Sequence, residues 1–409
     1  MSLNRTTLSR IEFIILMSAI TAVDALAIDA ILPALSFISQ DFALQHDNDR
    51  QYVVTSIFVG YAVGVMMYGT ASDSFGRKPP IYVGFGIFLI GTLITIFAGS
   101  FEILLAGRVL QGMGAAGPQI IPTAITRDQY KGRGMAEIMS LIMMVFMMVP
   151  AIAPLLGQAV LMISDWRGIF IMLGVYSLAV LLWFFIRQPE TLPPEERVPF
   201  SVKQVRRSIG EVLNNSRAVK YTCCEGFAFA AVLAYLSTAQ QIFQEHYALG
   251  ERFPLYFGAL ALVMMLASFV NSRLVQQLGM RLLVMLAATI LCLVSMIYLL
   301  LIFTVDTQMP LWSFMLFAAI GYFCLGILFG NMHSMAMEEV GHVAGVAASV
   351  VASCSTLIAV GTAAFIGSFY QDSITPIVAG FGVLMLPILL ISWLDQPAIH
   401  LSLKHDENE

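Results

Sequence analysis

Three ionisable residues stand inside long apolar stretches, Asp24 and Asp29 in one run and Arg108 in another. A charge at the centre of a bilayer costs from about 2.5 to more than 10 kcal/mol depending on the measure, so a chain that keeps one there uses it to bind, pair or move protons. A carboxylate in a low-dielectric cavity beside a guanidinium is a proton switch, because desolvation favours its neutral form and the cation its ionised form. If both runs are helical, the rise of about 1.5 Å per residue puts Asp29 and Arg108 about 10 Å below the same surface. That predicts an Asp29–Arg108 pair. Asp24 lies about 7.5 Å deeper and about 140° round the helix from Asp29, so the two carboxylates cannot both aim at one partner. The expectation is a division of labour, one acid structural and the other the proton carrier. Glu225, five residues after Lys220, reads equally as a solvated interfacial carboxylate, and His333, well inside a span, reads as a packing histidine.

The elements that must hold these residues are membrane helices. The chain has 409 residues, 58% of them hydrophobic and only 11% charged, against about 25% charged in soluble domains. Segments of about 20 apolar residues, enough to cross a bilayer, fall at 10-37, 51-72, 80-99, 102-126, 135-163, 167-187, 217-245, 252-276, 281-304, 310-337, 342-369 and 373-395, which makes twelve. The first continues past Asp24 and Asp29, so it reads as an uncleaved span rather than a secretory signal. A polar interval rich in Pro and Arg divides the chain into an N-terminal six-helix bundle (1-187), a linker (188-216), a C-terminal bundle (217-395) and a tail (396-409). With both termini cytoplasmic, Arg77, Lys78, Arg127, Lys131, Arg133, Arg187 and the linker cations fall on the cytoplasmic side, and Arg50, Arg167 and Arg252 on the other. This is the positive-inside asymmetry. The five cysteines lie in apolar runs without CxxC spacing or nearby histidines, so no disulfide framework and no metal site is indicated. No basic, aromatic-interleaved face suggests nucleic acid. Neither a phosphate-binding glycine loop nor a clustered catalytic set marks an enzyme.

A polar island, Gly69-Thr70-Ala71-Ser72-Asp73-Ser74-Phe75-Gly76-Arg77-Lys78-Pro79, joins spans 2 and 3. Gly69 allows close helix approach, Gly76 a tight turn, and Asp73 a charge-assisted hydrogen bond from a neighbouring helix. A degraded copy, Asn271 to Arg281, joins spans 8 and 9, with Gly279 matching Gly76 and Arg281 matching Lys78. Two six-helix halves related by such a repeat are the build of alternating-access transporters. In span 5, Pro154 and Gly157 permit a bend and tight packing. For a binding pocket the sequence suggests Tyr235, Gln240, Gln241 and Asn331 with the adaptable methionines Met144 and Met148.

The island resembles the signature loop of the major facilitator superfamily, and the spacing in Arg108-Val109-Leu110-Gln111-Gly112-Met113-Gly114-Ala115 and Pro150 to Gly157 is similar to its span 4 and span 5 antiporter patterns. Asp29-Ala30-Ile31-Leu32-Pro33, Arg127-Asp128 and Asp165-Trp166-Arg167-Gly168 sharpen the resemblance to the Bcr/CflA branch of drug:proton antiporters. Thr21 stands where related antiporters often carry an acid, and Gln158 where a second glycine is usual. The resemblance implies an all-α fold of twelve helices in two pseudo-symmetric bundles. It implies proton-driven export of amphipathic small molecules or drugs across a bacterial inner membrane by a multi-pass monomer, with the proton as coupling ion and no other cofactor. Asp24, Asp29 and Arg108 would then couple protons, and Gly69, Asp73, Gly76, Arg77, Lys78, Pro154 and Gly157 would govern conformation. A dedicated exporter of an endogenous metabolite or siderophore is the alternative within transport, and an intramembrane enzyme the alternative outside it.

Overall fold

The computed structural model describes residues 8–197, 201–305 and 308–395; the expected tail lies outside them. The described chain is helical from end to end. In order the helices are α1 (Arg10–Asp29), α2 (Leu35–Asp41), α3 (Tyr52–Phe75), α4 (Lys78–Ile96), α5 (Phe101–Gln129), α6 (Gly132–Leu161), α7 (Trp166–Arg187), α8 (Val202–Asn214), α9 (Ser216–Gln240), α10 (Phe253–Leu278), α11 (Met280–Thr304), α12 (Leu311–Met337), α13 (Ala344–Ser368) and α14 (Thr375–Leu394). Short polar side chains start several of them. Ser9, Ser100, Asp165 and Asn215 each accept backbone N–H groups of the first turn, which supplies partners for donors the helix itself leaves free.

Eleven of the described helical stretches are long and apolar enough to cross a membrane. The twelfth span is α5, 29 residues long, which falls short in apolarity because it carries Arg108 and Gln111 in its interior and Glu102 near its start. Its length and burial make it a span all the same, held between α3 and α4. The first span is broken. α1 ends at Asp29, a tight turn over Leu32–Ala34 follows with Pro33 inside it, and α2 resumes at Leu35. Proline cannot donate the hydrogen bond that would carry the helix through.

α1 and α3 to α7 form one half and α9 to α14 the other, and the halves meet mainly along α3–α13 and α6–α10. Close approach within and between them is written in glycine. A side chain at Gly157 would fall on the carbonyl of Ala30, so α6 lies directly against the break in the first span, and one at Gly69 would fall on the Ser349 hydroxyl of α13. The pseudo-repeat has a physical counterpart. Gly76 and Gly279 both take positive φ, +93° and +75°, at the two equivalent turns. Lys78 donates to the carbonyl of Gln188 at the end of α7, and Arg281 donates to those of Ser392 and Trp393 at the end of α14. Each half thus closes its last helix with the cation that follows its own glycine turn, where the helix dipole favours positive charge.

The polar interval between the two bundles is packed against both of them. Residues 188-192 dock on the N-terminal half, whereas α8 packs against α9 and α13 of the C-terminal half.

Candidate functional site

The island between α3 and α4 is an ordered network rather than a solvated basic turn. Arg77 is only 4% exposed. It donates to Asp73 (2.6 Å), to Ser72 (2.9 Å) and through two nitrogens to Asp128 at the end of α5 (2.8 and 3.2 Å). Asp73 therefore takes its charged hydrogen bond from its own loop, not from a neighbouring helix as expected. Glu190, which sequence reasoning passed over, accepts from the backbone N–H groups of Arg77 (2.9 Å) and Lys78 (3.0 Å) and from those of Thr191 and Leu192. Burial alone would raise the Glu190 carboxyl, but these donors hold it below its ordinary value. The stabilisation is present above the ordinary carboxylate range and lost as pH falls through the lower folded value. Glu190→Gln is expected to cost about 1 kcal/mol, at the low end because the group is partly solvated, and to flatten the acid limb of a detergent-solubilised melting profile. An unchanged limb would show that the carboxylate holds nothing.

Arg108 is completely buried. Nε donates to the carbonyl of Val53 on α3 (2.9 Å), and Nη1 to that of Ala27 on α1 (3.0 Å) and to Gln111 Oε1 (2.9 Å). Gln111 donates in turn to Thr92 on α4 (2.8 Å), and the guanidinium carbon stands 5.8 Å from the Phe170 ring centre on α7. Ala27 lies in the last turn of α1, where carbonyls lack intrahelical partners. Arg108 therefore caps the broken span. The predicted Asp29–Arg108 pair does not form: among the described residues no ion pair or hydrogen bond joins them, and the carboxylate that acts electrostatically on Arg108 is Asp24. Similar depth does not make a pair, because rotation about the helix axis decides the partner. Asp24 and Asp29 are 7% and 5% exposed. Oδ1 of Asp24 and Nη2 of Arg108 are buried without a hydrogen-bond partner. Asp29 acts on Asp24 and, across the junction, on Tyr322 of α12.

Opposite these acids the C-terminal half presents aromatic rings. Tyr235, expected in the pocket, is 1% exposed with an unpartnered hydroxyl, its ring 5.0 Å from Tyr322 and stacked 6.0 Å from Phe257. Phe58 of α3 meets Phe229 of α9 at 5.5 Å, and Phe229 meets Phe329 of α12 at 5.7 Å. Sequence reasoning missed Phe58, Phe229, Tyr322 and Phe329, because spans 2, 7 and 10 each carry several aromatics and spacing alone does not say which of them face the junction.

The rest of the expected pocket is placed elsewhere. Asn331 spends its amide inside the C-terminal half, on Asn271 Oδ1 (2.8 Å) and the Ile327 carbonyl (2.9 Å). Met144 and Met148 are 53% and 43% exposed and share a stripe with exposed Ile152 and Leu155, an apolar face suited to lipid. Gln240 and Gln241 belong to a bridge at the face opposite the linker. Gln241 donates to Asn48 (3.0 Å) and accepts from Gln51 (2.8 Å), while Gln240 reaches Gln244 and Glu245. Arg50 grips Glu245 with two hydrogen bonds (2.5 and 2.7 Å), and Asn48 donates to the carbonyls of Ser368 and Tyr370. These contacts tie the two halves together beside an open vestibule of about 800 Å³. Glu245 reaches Arg50 from a widened π turn, Gln241–His246, that ends the seventh span.

Two helical halves with buried acids at their junction that make no ion pair among the described residues, and with side-chain bridges across one face, are the build of a membrane transporter rather than an enzyme. The chain belongs to the Major Facilitator Superfamily, whose family profile matches residues 17–363. It is 26% identical over 373 residues to a bicyclomycin resistance protein homolog of Haemophilus influenzae, covering 90% of this chain and 92% of that one. It is 24% identical over 351 residues to multidrug resistance protein D of Escherichia coli, covering 83% and 84%. Among solved structures the xylose transporter XylE of E. coli, in a partially occluded inward-open conformation, superposes with a TM-score of 0.75 over 95% of this chain and 98% of that one at 12% identity.

Proposed function

We propose that this protein exports amphipathic small molecules across a bacterial inner membrane in exchange for protons, by alternating access, with both termini cytoplasmic. The observation that carries the reading is the junction itself. Two buried carboxylates, neither in an ion pair among the described residues, lie at the junction with Asp29 acting on Tyr322 of the aromatic wall, so a proton and an apolar ligand compete for one space. The resistance-protein names of two relatives support drugs as the ligand class. The bridge of Arg50, Glu245, Asn48 and Gln51 is then the closed periplasmic gate, and Arg77, Asp73, Asp128 and Glu190 brace the cytoplasmic side. The chain carries its own pseudo-symmetry, so a monomer suffices.

In everted vesicles, uptake of a fluorescent amphiphile should collapse on adding a protonophore and persist when ATP is depleted at a maintained gradient. Uptake that follows ATP and ignores the gradient would reject proton exchange.

A further inference from the structure

α9 and α12 run antiparallel and face each other in rungs. Tyr235 meets Tyr322, Phe229 meets Phe329, and nearest the linker face Glu225 meets His333. The spacings are helical, four residues from Glu225 to Phe229 and four from Phe329 to His333, so the acid stands about 6 Å below the phenylalanine rung on the same side of the helix. Phe229 also touches Phe58 of the other half. That side of α9 therefore looks into the junction between the halves, not toward lipid.

Glu225 is poorly satisfied for a largely enclosed carboxylate. Its side chain is 12% exposed, and among the described residues its one charged partner is the His333 ring, with Nδ1 at 3.3 and 3.4 Å from its two oxygens. A carboxylate has about four acceptor positions. The arginine on its own helix, Arg217, is committed to Asp395, Glu338 and Glu339. His333 is itself 41% exposed, so the pair is open on one side. Phe229 and Phe329 meet edge to face at 77°, and an anionic group beside an aromatic ring is the environment that stabilises an organic cation, the ring face and the carboxylate both attracting positive charge.

We propose that Glu225, Phe229 and Phe329 form a recognition site for the cationic head of a lipophilic substrate, with Glu225 exchanging His333 for the incoming cation. The inference deepens the export reading and rests on it for the role of the site, but not for its existence. The site explains what the Asp24, Asp29 and Arg108 group does not, namely how a charged ligand is held on the C-terminal half while protons are exchanged on the other.

The test is equilibrium binding of tetraphenylphosphonium, a permanent cation, and of a neutral amphiphile of similar size to purified protein. Glu225→Gln should lower the ratio of cation to neutral affinity about tenfold or more, as loss of a buried charge partner does. His333→Gln should keep cation binding, because the histidine is the displaced partner. An equal loss of both ligands in Glu225→Gln, or loss of the cation in His333→Gln as severe as in Glu225→Gln, would show a pair that only ties α9 to α12 and would overturn the site. So would a wild-type protein that binds the neutral probe and not the cation. Binding judges the site and gradient-driven efflux judges the transport reading, so the two fail separately.

Discussion

Arg108→Ala is expected to abolish export. The side chain satisfies acceptors on three helices, the Ala27 carbonyl of α1, the Val53 carbonyl of α3 and Gln111 on its own α5. Removing it leaves them buried and unpaired, at about 1–3 kcal/mol each, and withdraws the positive charge that offsets Asp24. The broken end of α1 loses its cap, so the acids it carries lose their fixed position against the aromatic wall. Arg108→Lys restores a charge but not the planar fork that reaches three acceptors together, and should retain a small fraction of activity. Efflux rate and thermal stability measured on the same preparations separate the two contributions. A lysine variant as inactive as alanine but fully stable would make the fork, not the charge, the essential property. Near-normal efflux from a folded alanine variant would remove Arg108 from the mechanism.

Much of this fold was legible because bilayer thickness forces long apolar runs and water-facing turns force polar ones. The twelve spans, the glycine turns at Gly76 and Gly279 and the break at Pro33 all follow from that constraint. α5 shows the same physics at its limit, since its charge and prolines are tolerated only because neighbouring helices enclose them. What was not legible depends on rotation about helix axes and on backbone acceptors. Arg108 is held mostly by carbonyls, which every residue carries and no sequence pattern advertises. Glu190 was hidden for a related reason: it lies in a linker whose composition looks solvated, yet its carboxylate is seated on the free N–H groups that open α4. Gln240 and Gln241 look like pocket lining in a linear reading because polarity inside a span suggests a ligand. In the folded chain Gln241 is engaged by Gln51 and Asn48 of the other half and Gln240 by Gln244 and Glu245 beside it, so both belong to a bridge between the halves.

The same rotation argument reassigns the two acids of the first span. In the sequence, similar depth pairs Asp29 with Arg108, which leaves the deeper Asp24, close to the non-acidic Thr21, as the proton carrier. In the structure the influence of Arg108 falls on Asp24, whereas Asp29 acts on Asp24 and on Tyr322 in the opposite half and makes no ion pair among the described residues. Two carboxylates that act on each other in a buried site do not both ionise cheaply, and their protons belong to the pair. The one beside the cation is the better placed to stay charged. If Asp29 carries the exchangeable proton, a ligand entering beside Tyr322 would displace it. Asp29→Asn should keep ligand binding but lose substrate-induced proton release in detergent and the pH dependence of binding, since the amide imitates the protonated acid. Asp24→Asn should disturb the hold on Arg108, lower stability and slow transport, yet leave proton release measurable. Proton release that survives in Asp29→Asn and disappears in Asp24→Asn would restore the assignment suggested by depth, and would mean that the carboxylate nearest the guanidinium is the one that gives up its charge.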